Sequence, residues 1–153
     1  LVLGLFLGVR LVTAQADTSA DAPTCTDRTV KTGQTLSSNL VQVNVYNASQ
    51  RAGLANRVSI NLQRRGFLAG GIGNTTSKGS GVTIVDADKD DPRVRLVAAQ
   101  FKRVTYATSD LPKSEGVSIV IGDRYSSLKR GAKSSLKASR DVTVCTPTVT
   151  LDQ

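Results

Sequence analysis

The clearest pattern lies in residues 41–46, where Val41, Val43 and Val45 alternate with Gln42, Asn44 and Tyr46, giving an extended segment one apolar and one polar face. A strand is predicted there, ended by Asn47-Ala48-Ser49. From residue 51 to 65 the period changes, and Leu54, Ala55, Val58 and Leu62 form one stripe at helical spacing. Ser49 is the expected N-cap of that helix, and Gly66 after Arg64-Arg65 is a normal stop. Residues 67–74 read as a short extended piece interrupted by Gly70, Gly71 and Gly73, and Val82-Thr83-Ile84-Val85 as a buried strand. The second half repeats the order. Asp91-Pro92 supplies a cap and a proline at the first helical position, and Val94, Val97, Ala98 and Phe101 follow at i, i+3, i+4 and i+7. Residues 104–106 and 117–121 read as strands around a turn at 111–113. The order β-α-β-β-α-β-β implies an α/β fold, a small two-layer sandwich with helices packed on a mixed sheet. Beyond Tyr125 regularity fades into a basic stretch and then a short β-rich tail at 142–151.

The start of the chain bears on the compartment. Residues 1–14, LVLGLFLGVRLVTA, are apolar except for Arg10 and run into a polar stretch that ends at Pro23. Fourteen helical residues reach about 21 Å, short of the roughly 30 Å hydrocarbon core. The chain has no Met, so residue 1 reads as a processed or cut end. Residues 1–16 are then either a truncated membrane anchor or a signal segment cleaved at Ala14-Gln15-Ala16, with an ordinary buried helix as the third reading. Arg10 counts against a signal segment and snorkels readily at a helix end. The expected organisation is an anchor or signal over 1–16, an extracytoplasmic linker over 17–40, a folded domain over 41–125, and a basic segment with tail over 126–153. The expected location is the cell membrane, single-pass, with the domain outside the cytoplasm; secretion is the alternative.

Two cysteines, Cys25 and Cys145, flank the folded region, and an even count in an exported chain is read first as a disulfide, here joining the start of the domain to its end. Two unpaired buried thiols are the other reading. A metal pair fails for want of CxxC spacing or any His.

The chain has 153 residues, room for a single core, and 20 Lys+Arg against 12 Asp+Glu for a formal charge of +8. The absence of His removes Ser-His-Asp and Cys-His relays, HExxH zinc sites and imidazole proton shuttles. Asp86-Ala87-Asp88-Lys89-Asp90-Asp91 resembles the first half of an EF-hand loop, but Asp91 stands where Gly is required and Val97 where a bidentate Glu is needed. A solvated acidic loop that caps a helix is the plainer reading. Gly70-Gly71-Ile72-Gly73 lacks both the GxGxxG and the Walker pattern, so close packing or a bulge is expected. Asn47, Ser49 and Arg51 lead into a helix N-terminus and form a weak anion-site candidate. Asn47-Ala48-Ser49 and Asn74-Thr75-Thr76 match glycosylation sequons, a motif common by chance.

The basic run carries more information. Arg124, Lys129, Arg130, Lys133, Lys137 and Arg140 occur without an intervening acid. A helix would align Lys129, Lys133 and Lys137, although Gly131 argues for an irregular segment. It reads either as a solvated flexible stretch or as a contact for a polyanion or partner. Nucleic acid is disfavoured, because Tyr125 is the lone aromatic at its edge. Export makes anionic lipid or wall polymer the better target.

The segment VQVNVYNASQRAGLANRVSINLQRRGFLAGGIGN, residues 41–74, resembles the opening of a LytR C-terminal domain: valine strand, Asn-Ala-Ser turn, Gly-Leu-Ala helix, arginine-rich end and Gly-Phe return strand. The aspartate-proline helix ending in LVAAQF and a last strand ending in Gly-Asp-Arg-Tyr extend the likeness to residue 125. It resembles the stand-alone, membrane-anchored envelope form known from actinobacteria. The resemblance implies a non-enzymatic accessory role in envelope integrity and wall glycopolymer assembly, with no cofactor and no catalytic residues. The implied partners are envelope proteins such as LytR-CpsA-Psr enzymes. A carbohydrate-binding module for peptidoglycan or an anionic wall glycopolymer is the alternative.

Overall fold

A computed structural model describes residues 25–77 and 79–148. Nine strands and two helices follow in chain order: β1 (Cys25–Val30), β2 (Thr35–Ser37), β3 (Gln42–Asn47), α1 (Leu54–Gln63), β4 (Leu68–Asn74), β5 (Val82–Val85), α2 (Pro92–Ala98), β6 (Thr105–Ala107), β7 (Val117–Ile121), β8 (Ser135–Lys137) and β9 (Val142–Pro147), with a single 3-10 turn at Ser38–Leu40. The five central strands lie in the order β4-β3-β7-β5-β6. β3 runs parallel to β4 and β7, β5 runs parallel to β6, and β5 meets β7 antiparallel. The repeat read in the sequence is therefore physical: β3-α1-β4 and β5-α2-β6 are two parallel βαβ units that run in opposite directions and meet through β7. The expected α/β two-layer sandwich is what forms.

The valines of β3 and the inward residues of β5 and β7 share one core with both helices. Val43, Val45, Ile84, Val117, Ile119 and Ile121 meet Leu54, Ala55, Val58 and Leu62 of α1 and Val94, Leu96 and Val97 of α2, followed by Phe101. Burying each of the Val, Leu, Ile and Phe side chains in full is worth about 1.5–3 kcal/mol against the entropy of ordering the chain. The expected stripe of α2 omitted Leu96, which is 1 % exposed and faces the later strands. α2 begins as read: the Asp91 carboxylate accepts from the Arg93 N–H at 2.8 Å, with Pro92 in the first turn.

α1 starts differently. Its N-cap is Gly53, in the left-handed region at φ 72°, and no side chain caps it; Ser49 lies in the preceding turn. The helix covers Leu54–Gln63, shorter than the expected 51–65, because Arg51 is held in that turn by both its N–H and its carbonyl. The glycine cluster is a bulge. The β3–β4 register shifts between Val43 and Val45, and the extra β4 residue is fixed by the Gly71 N–H donating to Asn44 Oδ1 at 2.8 Å. A Cβ on Gly70 would strike Asn44 Oδ1 and lie 2.7 Å from the Val43 carbonyl oxygen, so only Gly fits.

The expected boundaries at both ends need correction. Residues 25–40, assigned to a linker, contain β1 and β2, and residues 126–148, assigned to a basic segment and tail, contain β8 and β9. β1 pairs antiparallel with β9 over six residue pairs and β2 with β8 over three. Val30, Leu36, Leu128, Ala138, Val142 and Val144 complete the same core. Lys129, Lys133 and Lys137 are not aligned on a helix, since Gly131 turns the chain at φ 66° and Lys137 lies in β8. The anchor-or-signal reading of 1–16 falls outside the described residues; among the described residues no helix is long and apolar enough to cross a membrane.

Candidate functional site

Cys25 and Cys145 come together as a disulfide with 5.3 Å between their Cα atoms. They sit diagonally across the β1–β9 ribbon, where Cys25 pairs with Pro147 and Cys145 with Asp27. The bridge closes the outer end of the ribbon and leaves neither thiol for chemistry.

The anion site sketched at Asn47, Ser49 and Arg51 is closed on itself. Asn47 Oδ1 accepts from the Ser49 N–H and Oγ–H at 2.9 and 2.7 Å, Asn47 Nδ2 donates to the Arg51 carbonyl at 2.8 Å, and the Arg51 N–H donates to Ser49 Oγ at 3.1 Å. The Gln50 N–H donates to the Asp123 carboxylate at 2.9 Å, so the protein supplies its own anion there. Asn47 is also buried, which removes the first sequon from consideration as a modification site.

The acidic loop and the far end of the basic run meet. Arg140 pairs with Asp88 at 2.8 Å and approaches Asp91 at 3.7 Å, while Asp91 pairs with Arg93 at 2.6 Å. The Asp90 N–H, and after it Arg140, hold the Asp88 carboxyl below its ordinary pKa. Asp86 is likewise lowered, chiefly by the hydrogen bond from the Ser109 hydroxyl. These carboxylates are engaged by N–H, O–H and guanidinium donors, and Arg140, counted in the basic run, is neutralised.

Elsewhere cations converge without acids. Arg124 joins Lys102 and Arg103 around a cleft of about 440 Å³ that also takes in Ser80, Thr105, Ser126 and Ser127. Across the ridge formed by Tyr125, Ser126 and Ser127 lies a second cleft of about 390 Å³, lined by Arg51, Arg57, Asn61, Arg64 and Arg65. No carboxylate lines either cleft, and no described salt bridge involves any of these arginines or Lys102. Two of the arginines shape the ridge. Arg51 Nη2 donates to the Tyr125 carbonyl at 2.6 Å; Arg65 donates to Gln100 Oε1 at 2.9 Å and the Lys129 carbonyl at 2.8 Å. Their partners are neutral, so the positive charge is held in place but not cancelled. Tyr125 is buried against Phe101, ring centroids 6.2 Å apart and edge to face. Burial pushes its hydroxyl pKa up, against the opposing pull of the Arg65 and Arg51 charges.

Of the six cations in the basic run, then, Arg124 belongs to this surface, Arg140 is paired, and Lys137 and Arg130 are exposed on β8 and its approach. Lys129 and Lys133 border a separate cleft beside α2. Sequence reasoning missed Arg57, Arg64, Arg65, Lys102 and Arg103. A signal existed, because Arg57, Asn61 and Arg64 recur at i, i+4 and i+7 along one flank of the apolar stripe of α1.

The chain matches no curated protein in sequence. Among solved structures it is similar to the soluble domain of a conserved hypothetical secreted protein from Mycobacterium marinum, at 22 % identity and a TM-score of 0.52, over 66 % of this chain and 70 % of that one. At that identity the likeness concerns the fold. The family model described as LytR cell envelope-related transcriptional attenuator matches residues 40–125, from the turn before β3 to Tyr125 on the ridge. With more than half of its residues inside that match, the chain belongs to the LytR C-terminal family of envelope-related accessory domains.

Proposed function

We propose that this is a non-enzymatic accessory domain, tethered to the membrane through its N-terminal segment on the extracytoplasmic side, that holds an anionic wall glycopolymer during envelope assembly. The observation that carries it is the pair of acid-free cationic clefts astride Tyr125–Ser127. Uncompensated charges on a shared surface attract a polyanion over several ångströms, and guanidinium forks suit phosphate and carboxylate groups. The serines on the ridge offer hydroxyls for sugar contacts. Neither cleft offers them an imidazole or a carboxylate, which favours holding over turnover. The disulfide fits an oxidising, exported setting.

The test is co-sedimentation with purified cell wall as salt is raised. Retention is expected at low salt and lost by about 0.5 M, where the Debye length has shrunk to a few ångströms. Arg57→Glu/Arg64→Glu is expected to weaken it about tenfold, roughly 1.4 kcal/mol. Salt-independent retention, or full retention by the charge-reversed variant, would refute the reading. Family membership favours a second reading, docking onto a LytR-CpsA-Psr enzyme; capture of such an enzyme without wall retention would select it.

A further inference from the structure

A third cleft, of about 330 Å³, lies between α2 and the loop leading into β8, and its lining is of another kind. Its floor is Leu96, with Ala99, Ala132 and Leu136, and its rim is Lys129 and Lys133. Its shape comes from Gln100, a fully buried amide at the end of α2. The Gln100 carbonyl accepts from the Lys129 N–H at 2.7 Å, and its Nε2 donates to the Lys133 carbonyl at 2.8 Å and the Leu96 carbonyl at 3.2 Å. One residue thus clamps both ends of the 129–133 segment, its backbone carbonyl holding Lys129 and its side-chain amide Lys133, while Gly131, at φ 66°, lets the chain between them bow outward. No carboxylate lines the cleft, and neither lysine takes part in a described salt bridge.

A hydrophilic polymer gains nothing from a floor of Leu and Ala, and a neutral apolar ligand gains nothing from two ammonium groups. Both features are used together by a molecule with a negative head and an alkyl tail. We propose that this cleft binds a single-chain lipid phosphate. The head sits between the Lys129 and Lys133 ammonium groups, and the first methylenes lie on Leu96, Ala99 and Leu136. Charge complementarity selects the occupant: two compact lysine charges with no acid in the lining. At about 330 Å³ the cleft is at the small end of ligand sites, so it encloses the head-proximal part of the chain and leaves the rest outside. The site is separate from the arginine clefts, to which it is tied through Arg65, whose guanidinium donates to Gln100 Oε1 and to the Lys129 carbonyl.

The experiment titrates octyl phosphate, below its micelle concentration, into the isotopically labelled full chain and follows amide and methyl resonances. Residue-level readout is needed because the apolar residues 1–14 can take up alkyl chains by themselves. Saturable shifts are expected at Ala99, Gly131, Ala132 and Leu136, weakened at least tenfold in Lys129→Glu/Lys133→Glu and in Ala99→Glu. Both variants alter exposed side chains and keep the core. Arg57→Glu/Arg64→Glu is expected to bind octyl phosphate unchanged. Equal shifts with inorganic phosphate, equal shifts with octyl glucoside, or undiminished binding by the lysine variant would each overturn the proposal.

Discussion

Removing the Cys25–Cys145 bridge tests how this domain is closed. The bonded residues are 120 apart in sequence, and in the chain-entropy account, 2.1 + 1.5R ln n, a loop of that size contributes about 4.9 kcal/mol at 25 °C by restricting the unfolded chain. That is a large share of the 5–15 kcal/mol typical of a domain. The folded state keeps part of the closure without it. At the inner end of the β1–β9 ribbon, Val30 pairs with Val142, and both of these and Val144 are in the core, where each is worth about 1.5–3 kcal/mol. Cys25→Ser/Cys145→Ser is therefore expected to fold, to lose about 3–5 kcal/mol in urea titrations, and to gain amide exchange at 25–28 and 144–146 before β3 and β7. Reductant should bring the wild-type protein to the same midpoint and leave the variant unmoved. A loss below about 1 kcal/mol would refute the loop-entropy reasoning. Simultaneous loss of protection in β3 and β7 would refute the ribbon as a separate closing unit.

Two further predictions concern charge and backbone. Burial pushes the Asp91 carboxyl up, but the hydrogen bonds from the Arg93 side chain and N–H, with the charges of Arg93 and Arg140, outweigh it and hold its pKa below the ordinary value. A lowered carboxylate contributes stability that is complete above the unfolded pKa, near 3.9, and lost as pH falls through the folded value. Asp91→Asn should cost about 1 kcal/mol at pH 7, with the gap to wild type closing in urea titrations as pH falls below about 4; Asp91→Ala should cost about 1 kcal/mol more through the lost cap. Gly70→Ala should lower stability by about 2 kcal/mol or more, because its Cβ meets Val43 and Asn44, whereas Gly71→Ala, with 3.7 Å of clearance to Asn44 Oδ1, should change the melting temperature little.

The legible part of the fold is the part whose pairing is local. β3-α1-β4 and β5-α2-β6 each announce themselves by a change from period 2 to period 3.6 within about 30 residues, the span of a βαβ unit. β1 carried no such signal: CTDRTV buries only Val30, and what makes it a strand is β9, more than a hundred residues away. β2 and β8 are three residues each and hold together through Leu36 in the core. The capping reading failed at Ser49 because its hydroxyl is used inside the Asn47 turn, while Asp91, with no competing turn, capped as expected. The family likeness reached residue 125 for the same reason, since it rests on the locally paired units.

Charge follows the opposite rule. A run such as 124–140 is conspicuous in sequence, but what a surface presents depends on which charges remain uncancelled in space. Arg140 stood out and is neutralised by Asp88. Arg57 and Arg64 form no run in the sequence, yet α1 brings them within one cleft of the Tyr125 ridge, and Arg124 joins Lys102 and Arg103 on its other side. The described salt bridges draw on Asp88, Asp91 and Asp141, none of which lines a cationic cleft. The formal +8 is therefore unevenly spent, with paired charges around the acidic loop and the β1–β2 turn, and unpaired ones around the ridge. Separation of that kind gives the domain a preferred side toward any anionic layer.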